Sequence, residues 1–204
     1  MKMKQLEGLL GDLQQFSNPK AFPEKKITSF VDVELEQYPT GPHIASHMLF
    51  TVNVFCFRQK TDKVVAVFGC GTLNAAASLL YAACVFFFDI DPQSLETATL
   101  NADELEVCLF LGQVVDTVVM NPPFGTRKKG ADMEFLSAAM KVASQAVYSL
   151  HKTSTREHIK RAALRDFKAK SAELWYDLPK LYKFHKRKEV DIAVDLWRFE
   201  PRHD

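Results

Sequence analysis

A chain of 204 residues, 47% apolar and 25% charged, has the profile of a soluble globular protein and is long enough for one domain with a sizeable core. No apolar run reaches the length of a membrane span: the longest, Ala75 to Phe88, is interrupted by Ser78 and Tyr81 and stops at Asp89. The net charge of +1 conceals an asymmetry, with −6 over residues 1–120 and +7 over residues 121–204. A basic half is what a polyanion binder presents, although scattered surface lysines give the same count.

The first turns, Lys4 to Phe16, carry leucines at 6, 9, 10 and 13 and predict an amphipathic helix. Met1-Lys2-Met3-Lys4 is basic, but no apolar core follows it, so a secretory signal is not expected. Ser17-Asn18-Pro19 and Phe22-Pro23 break the chain, and a stripe of Ile44, Met48, Leu49, Val52 and Phe55 predicts a second helix from Pro42 to about Phe57. On it His43 and His47 share a face at i, i+4 spacing. With no acidic or cysteine neighbour in sequence they read as solvated surface histidines, and no metal is expected. The four cysteines (Cys56, Cys70, Cys84, Cys108) form no C-x-x-C pair, which argues against a zinc site and a disulfide framework and suits a reducing compartment.

From Val64 the character changes. Val64 to Phe68 is a short apolar run ending at Gly69-Cys70-Gly71, Ala75 to Ala83 is helix-like, and Val85 to Phe88 is a second apolar run closed by Asp89. Pro92 opens a helix to about Leu105, and Val114 to Met120 is a further strand running into Asn121. Strands alternating with helices, each strand continuously apolar, predict a parallel α/β sheet. Phe135 to Leu150 shows helical spacing, and Glu157 to Trp175 reads as a charged, alanine-rich helix. The tail then alternates, with Val190, Ile192, Val194 and Leu196 against Asp191, Ala193, Asp195 and Trp197, which predicts a half-buried antiparallel strand at the end of the sheet. The expected organisation is one domain over 1–204, with a helical segment at 1–60 and an α/β core at 61–204.

Three features carry chemistry. Gly69-Cys70-Gly71 lies between a strand and a helix, where glycine lets the backbone approach a ligand and the helix N-terminus offers N–H groups. Asp89 ends the next strand, the position from which a carboxylate accepts ribose hydroxyls in nucleoside-binding α/β folds, although capping the helix at Pro92 is its bland role. Asn121-Pro122-Pro123-Phe124 closes a strand and resembles the [D/N]-P-P-[F/Y/W] motif of amino-directed methyltransferases. An exocyclic amine is a poor nucleophile because its lone pair is delocalised into the ring. The Asn121 side-chain oxygen and the Pro122 carbonyl can accept both amino hydrogens and localise that pair, while Phe124 stacks on the base, worth roughly 1–3 kcal/mol.

The segments Leu35-Glu36-Gln37-Tyr38-Pro39-Thr40, Val118 to Thr126, Ala146 to Lys152 and Tyr176-Asp177-Leu178-Pro179 resemble the methyltransferase-like protein five family. Members of that family place N6-methyladenosine on small-subunit ribosomal RNA. The resemblance implies a seven-stranded Rossmann-like class I methyltransferase that uses S-adenosyl-L-methionine, pairs as a heterodimer with a small zinc-binding activator subunit, and works in nucleus and cytoplasm. It further implies cofactor roles for Gln37, Tyr38, Thr40, Gly69, Gly71 and Asp89, and an adenine site at Asn121, Pro122, Pro123 and Phe124. RNA phosphates would fall to Lys152, Arg156, Lys183, Lys186, Arg187 and Lys188, making binding salt-dependent.

The chain departs from that family pattern in the cofactor loop and in one spacing. The loop should read D-x-G-x-G-x-G, yet Val67 occupies the acidic position and Leu73 or Asn74 stands where the third glycine is expected. Only 32 residues separate Asp89 from Asn121, which must hold a helix, a third strand and a crossover, and a parallel crossover needs about a dozen residues or more. Val107 to Leu111 is left as a makeshift third strand, and no carboxylate for the cofactor adenine appears in Val107 to Val115. Besides an active RNA methyltransferase, the sequence therefore admits a catalytically impaired RNA- or activator-binding relative. It also admits a protein glutamine methyltransferase, since the same cage can hold an amide.

Overall fold

The apolar runs become the parallel half of one sheet. The computed structural model describes residues 3–12, 40–56, 63–69, 84–89, 115–125, 128–167, 169–182 and 192–202. β1 (Val64–Phe68) lies between β2 (Cys84–Phe88) and β3 (Val115–Met120) and pairs in parallel with both. β4 (Ala143–Lys152) continues the parallel sheet beyond β3. β6 (Ile192–Glu200) is antiparallel to β4, and β5 (Ser171–Tyr182) is antiparallel to β6, so the order is β2-β1-β3-β4-β6-β5. This is a Rossmann-like arrangement, mainly parallel, with the period-two tail as the expected antiparallel strand.

Because successive side chains on a strand point to opposite faces, the sheet carries two cores. On one face Val65, Val67, Val119, Tyr148 and Leu150 pack with α1 (Met3–Asp12) and α2 (Pro42–Cys56) through Leu6, Leu10, Ile44, Met48 and Leu49. On the other face Ala66, Val118, Met120, Val147, Trp197 and Phe199 pack with α3 (Ala131–Val142) and α4 (Arg156–Arg165) through Leu136, Ala139, Ile159 and Ala163. The N-terminal helices thus share a core with the sheet. At its N-terminal edge Asp116 ties three parallel strands together, accepting from the Val64 N–H at 2.8 Å and from Gln145 Nε2 at 2.7 Å. Lys63 closes the cluster by donating to Gln145 Oε1.

Two predicted elements are corrected. The helix expected over Phe135 to Leu150 stops at Val142, and β4 begins at the next residue, Ala143, whose backbone is already extended (φ −78°, ψ 128°). No glycine or proline marks this junction. A strand buried on both faces also reads as a continuous apolar run, which periodicity cannot separate from a buried helix. The helix expected over Glu157 to Trp175 ends at Arg165, and β5 starts at Ser171. The chain is turned there without glycine, by N–H groups of Asp166 and Phe167 on the Ala162 carbonyl and of Ala169 on that of Ala163. The helices expected over 75–83 and 92–105, the third strand at 107–111 and the shortened stretch after Asp89 fall outside the described residues.

Candidate active site

Parallel strands end together, and in such sheets ligands bind outside the carboxyl ends. Phe68 is paired with Phe88 on one side and with Met120 on the other, so the residues that follow them, Gly69, Asp89 and Asn121, stand in one row along that edge. Gly69 adopts φ +76° and donates its N–H to the Phe88 carbonyl at 2.9 Å. A β-carbon there would lie 3.7 Å from the Asn121 carbonyl, ordinary contact, so it is the positive φ rather than lack of room that favours glycine. Gly69 and Asn121 thus stand beside each other at the ends of paired strands. Asp89 is half-buried beside them.

Thr40 reaches this row from the other end of the chain. It is buried immediately before α2, and Asn121 Nδ2 donates to its Oγ1 at 2.9 Å. That bond holds one end of the amide, and the carbonyl oxygen at the other end, Oδ1, is buried. Pro122 is buried, Pro123 and Phe124 are half-buried, and Phe124 packs against the core on the α1–α2 side. Thr40, a cofactor residue by resemblance, is in this geometry the residue that orients Asn121. Thr40→Val keeps the shape but loses the bond, and should lower turnover at the site roughly 5- to 10-fold and the melting temperature by about 2–4 °C per kcal/mol lost, as steady-state kinetics beside a thermal melt would register.

The basic residues divide. Lys152 ends β4, half-buried. Arg156, assigned to RNA from the sequence, is bound to a carboxylate: its Nε and Nη2 donate to the fully buried Asp195 at 2.8 and 2.7 Å, and Thr153 Oγ1 donates to the same group at 2.8 Å. A bidentate pair on a buried acid is a brace between α4 and β6, and it withdraws those donors from phosphate. Gln37, Tyr38, Gly71, Lys183, Lys186, Arg187 and Lys188 lie outside the described residues. His43 is exposed and hydrogen-bonds Glu7 at 3.2 Å, and its ring lies 4.5 Å from that of His47. Burial, then the neighbouring His43, lowers the His47 pKa.

No family model matches the chain. It is 44% identical over 220 aligned positions to the rRNA N(6)-adenosine-methyltransferase METTL5 of Danio rerio, with 98% of this chain and 100% of the relative covered. The chain belongs to the METTL5 family. It is also 40% identical to the rRNA N(6)-adenosine-methyltransferase Mettl5 of Drosophila melanogaster, covering 98% of this chain and 97% of that one. Among solved structures it is similar to a candidate RNA methyltransferase of Pyrococcus horikoshii, with a TM-score of 0.77 at 29% identity over 98% of this chain and 96% of the other.

The alignment with the Danio rerio relative runs over 220 positions and this chain has 204 residues, so at least 16 positions of the relative face a gap. Val67, where the METTL5-like pattern calls for an acid, is fully buried among Val65, Val85 and Val119.

One further group at this edge carries no local mark in the sequence. Ser149 and His151 of β4 are fully buried, and Asp132 of α3 lies 3.6 Å from the His151 ring. These residues are brought together only because β4 is a strand, so a helix over 135–150 hid them.

Proposed function

We propose that this chain methylates the N6 amino group of adenosine in ribosomal RNA, small-subunit RNA being the expected target. The observation that carries the reading is the Thr40–Asn121 hydrogen bond, which holds an amide with a buried oxygen at the strand end beside Gly69. The residues fit S-adenosyl-L-methionine on this evidence of shape: Gly69 holds the positive φ that a close backbone approach uses, and Asp89 stands in the same row for the ribose. When bound, that cofactor supplies an electrophilic methyl group on a sulfonium.

The chain's own residues then act on the amine. Asn121 Oδ1 and the Pro122 carbonyl accept its hydrogens, and Phe124 stacks on the adenine ring. No strong base is needed, because the amine becomes acidic only as it is alkylated. The site contributes position and charge stabilisation. The basic half of the chain, with Lys152 near the site and Lys183, Lys186, Arg187 and Lys188 further on, supports a phosphate-bearing substrate over a protein glutamine. Family resemblance supports the small zinc-binding activator as heterodimer partner and residence in nucleus and cytoplasm.

Two measurements test the reading on the chain co-expressed with the activator: calorimetric titration of S-adenosyl-L-methionine, and transfer of labelled methyl to small-subunit ribosomal RNA. Micromolar cofactor binding with label in N6-methyladenosine supports it. A folded complex that binds no cofactor would mean that the altered loop has ended catalysis and that any function lies in binding.

A further inference from the structure

The Asn121–Phe124 segment, whose Phe124 packs on the α1–α2 side of the sheet, is followed by Gly125, which lies near the start of α3. Gly125 adopts φ +66°, and a β-carbon there would stand 3.4 Å from the Lys128 carbonyl oxygen, 3.4 Å from the Gly130 nitrogen and 3.5 Å from Asp132 Oδ1. Gly125 thus lies beside the residues that lead into and open α3, with room for little more than a β-carbon. Behind it lies a line of polar groups. Asp132 Oδ2 is 3.6 Å from His151 Nδ1, and His151 Nε2 shares a 2.9 Å hydrogen bond with Ser149 Oγ. Ser149 is paired with Met120, the residue before Asn121, so the line runs beside the strand end that launches the motif. The His151 ring also meets Phe199 edge-on at 6.1 Å, which fixes its plane.

Carboxylate, imidazole and hydroxyl in a row are also the parts of a hydrolytic triad, but the Ser149 and His151 side chains are wholly buried and no substrate can reach them. Nor does amine alkylation call for a base. What a sealed histidine between a carboxylate and a hydroxyl can do is hold both elements at a set distance. Burial pushes the Asp132 carboxyl up, but its contact with His151 and the backbone N–H groups of Met133 and Asp132 outweigh this and hold it below the ordinary carboxylate range. Asp132 is thus an anion at neutral pH, favoured as well by its place in the first turn of a helix.

We propose that Asp132 and His151, backed by Ser149, are positioning residues for methyl transfer: they act through Gly125 to hold the Asn121–Phe124 loop at the distance the adenine amine requires. The proposal rests on the methyltransferase reading of that loop. A displacement on the order of 1 Å in a reacting geometry can cost about 100-fold in rate.

The test uses the full chain co-expressed with its activator. Asp132→Ala should lower kcat roughly 10- to 100-fold, with KM for RNA and cofactor affinity within about threefold of wild type. Asp132→Asn keeps a planar side chain of the same size between Gly125 and the His151 ring and should recover most of the rate. Deuterium exchange over residues 119–125 should quicken in Asp132→Ala and return toward wild type in Asp132→Asn. If Asp132→Ala does not fold, His151→Gln, which removes the ring that bridges Asp132 to Ser149, carries the same kcat and exchange readouts. An unchanged kcat in a folded variant, or exchange that ignores both substitutions, overturns the proposal. Exchange that responds in a chain whose wild type methylates nothing leaves the brace standing as a structural fact, but overturns its role in methyl transfer together with the methyltransferase reading.

Discussion

Asn121→Ala is expected to lower methyl transfer to ribosomal RNA by about 10²–10³-fold, the cost typical of removing one preorganised polar partner of a transition state. The residue sits at the end of β3 with its Nδ2 committed to Thr40, so its carbonyl oxygen is the part that faces the reaction. Adenine N6 becomes nucleophilic as its hydrogens are drawn into the plane of acceptors and its lone pair leaves the ring. Alanine removes one acceptor and leaves the Pro122 carbonyl alone. Cofactor affinity should change little, since the substitution leaves the backbone beside Gly69 in place. Asn121→Asp is the informative companion. A carboxylate accepts as well as an amide, and the Thr40 hydroxyl can turn from acceptor to donor, so this variant should stay well above alanine. Single-turnover transfer with saturating cofactor, beside circular dichroism to establish folding, checks both. A folded alanine variant within about tenfold of wild type would remove Asn121 from the chemistry.

How far such a site is legible in sequence depends on punctuation. β1, β2 and β3 are apolar runs closed by Gly69, Asp89 and Asn121, and each was predicted to within about a residue of its observed ends. Those closing residues stand in one row at the carboxyl edge of the sheet, so finding the strands also placed that row. β4 has no such mark: it follows Val142 without a turn residue and is buried on both faces, so helix and strand patterns coincide. The same error concealed the Asp132–His151 contact. Pairings across the chain are a different matter. Nothing local tells Thr40 from any buried threonine, and only the fold sets it on Asn121. Arg156 shows the opposite limit, since a basic residue in a basic half invites a phosphate role that the distant, buried Asp195 takes away.

Val67→Asp should destabilise the protein by about 3 kcal/mol, a loss of melting temperature on the order of 10 °C, without restoring family-like cofactor affinity. The substitution matches the family pattern in sequence, yet Val67 is fully buried and lies in the core formed by Val65, Val85, Val119 and the α1–α2 helices. A carboxylate placed there loses its water, and it is tolerated only where N–H groups of a complete glycine loop take over as donors. In this chain the loop departs from the pattern at Leu73 or Asn74 as well, so the substitution restores one position of the motif and not the other. Burial would raise the new carboxyl's pKa in the folded state above its value in the unfolded chain. The added instability should therefore be small below about pH 4, where both states hold the proton, and grow toward neutrality. Thermal melts of Val67→Asp at pH 4 and pH 7, with calorimetric titration of S-adenosyl-L-methionine, separate the outcomes. A variant as stable as wild type at pH 7 that also binds the cofactor with family-like affinity would mean that residue 67 faces the ligand and that the substituted acid alone separates this chain from its relatives.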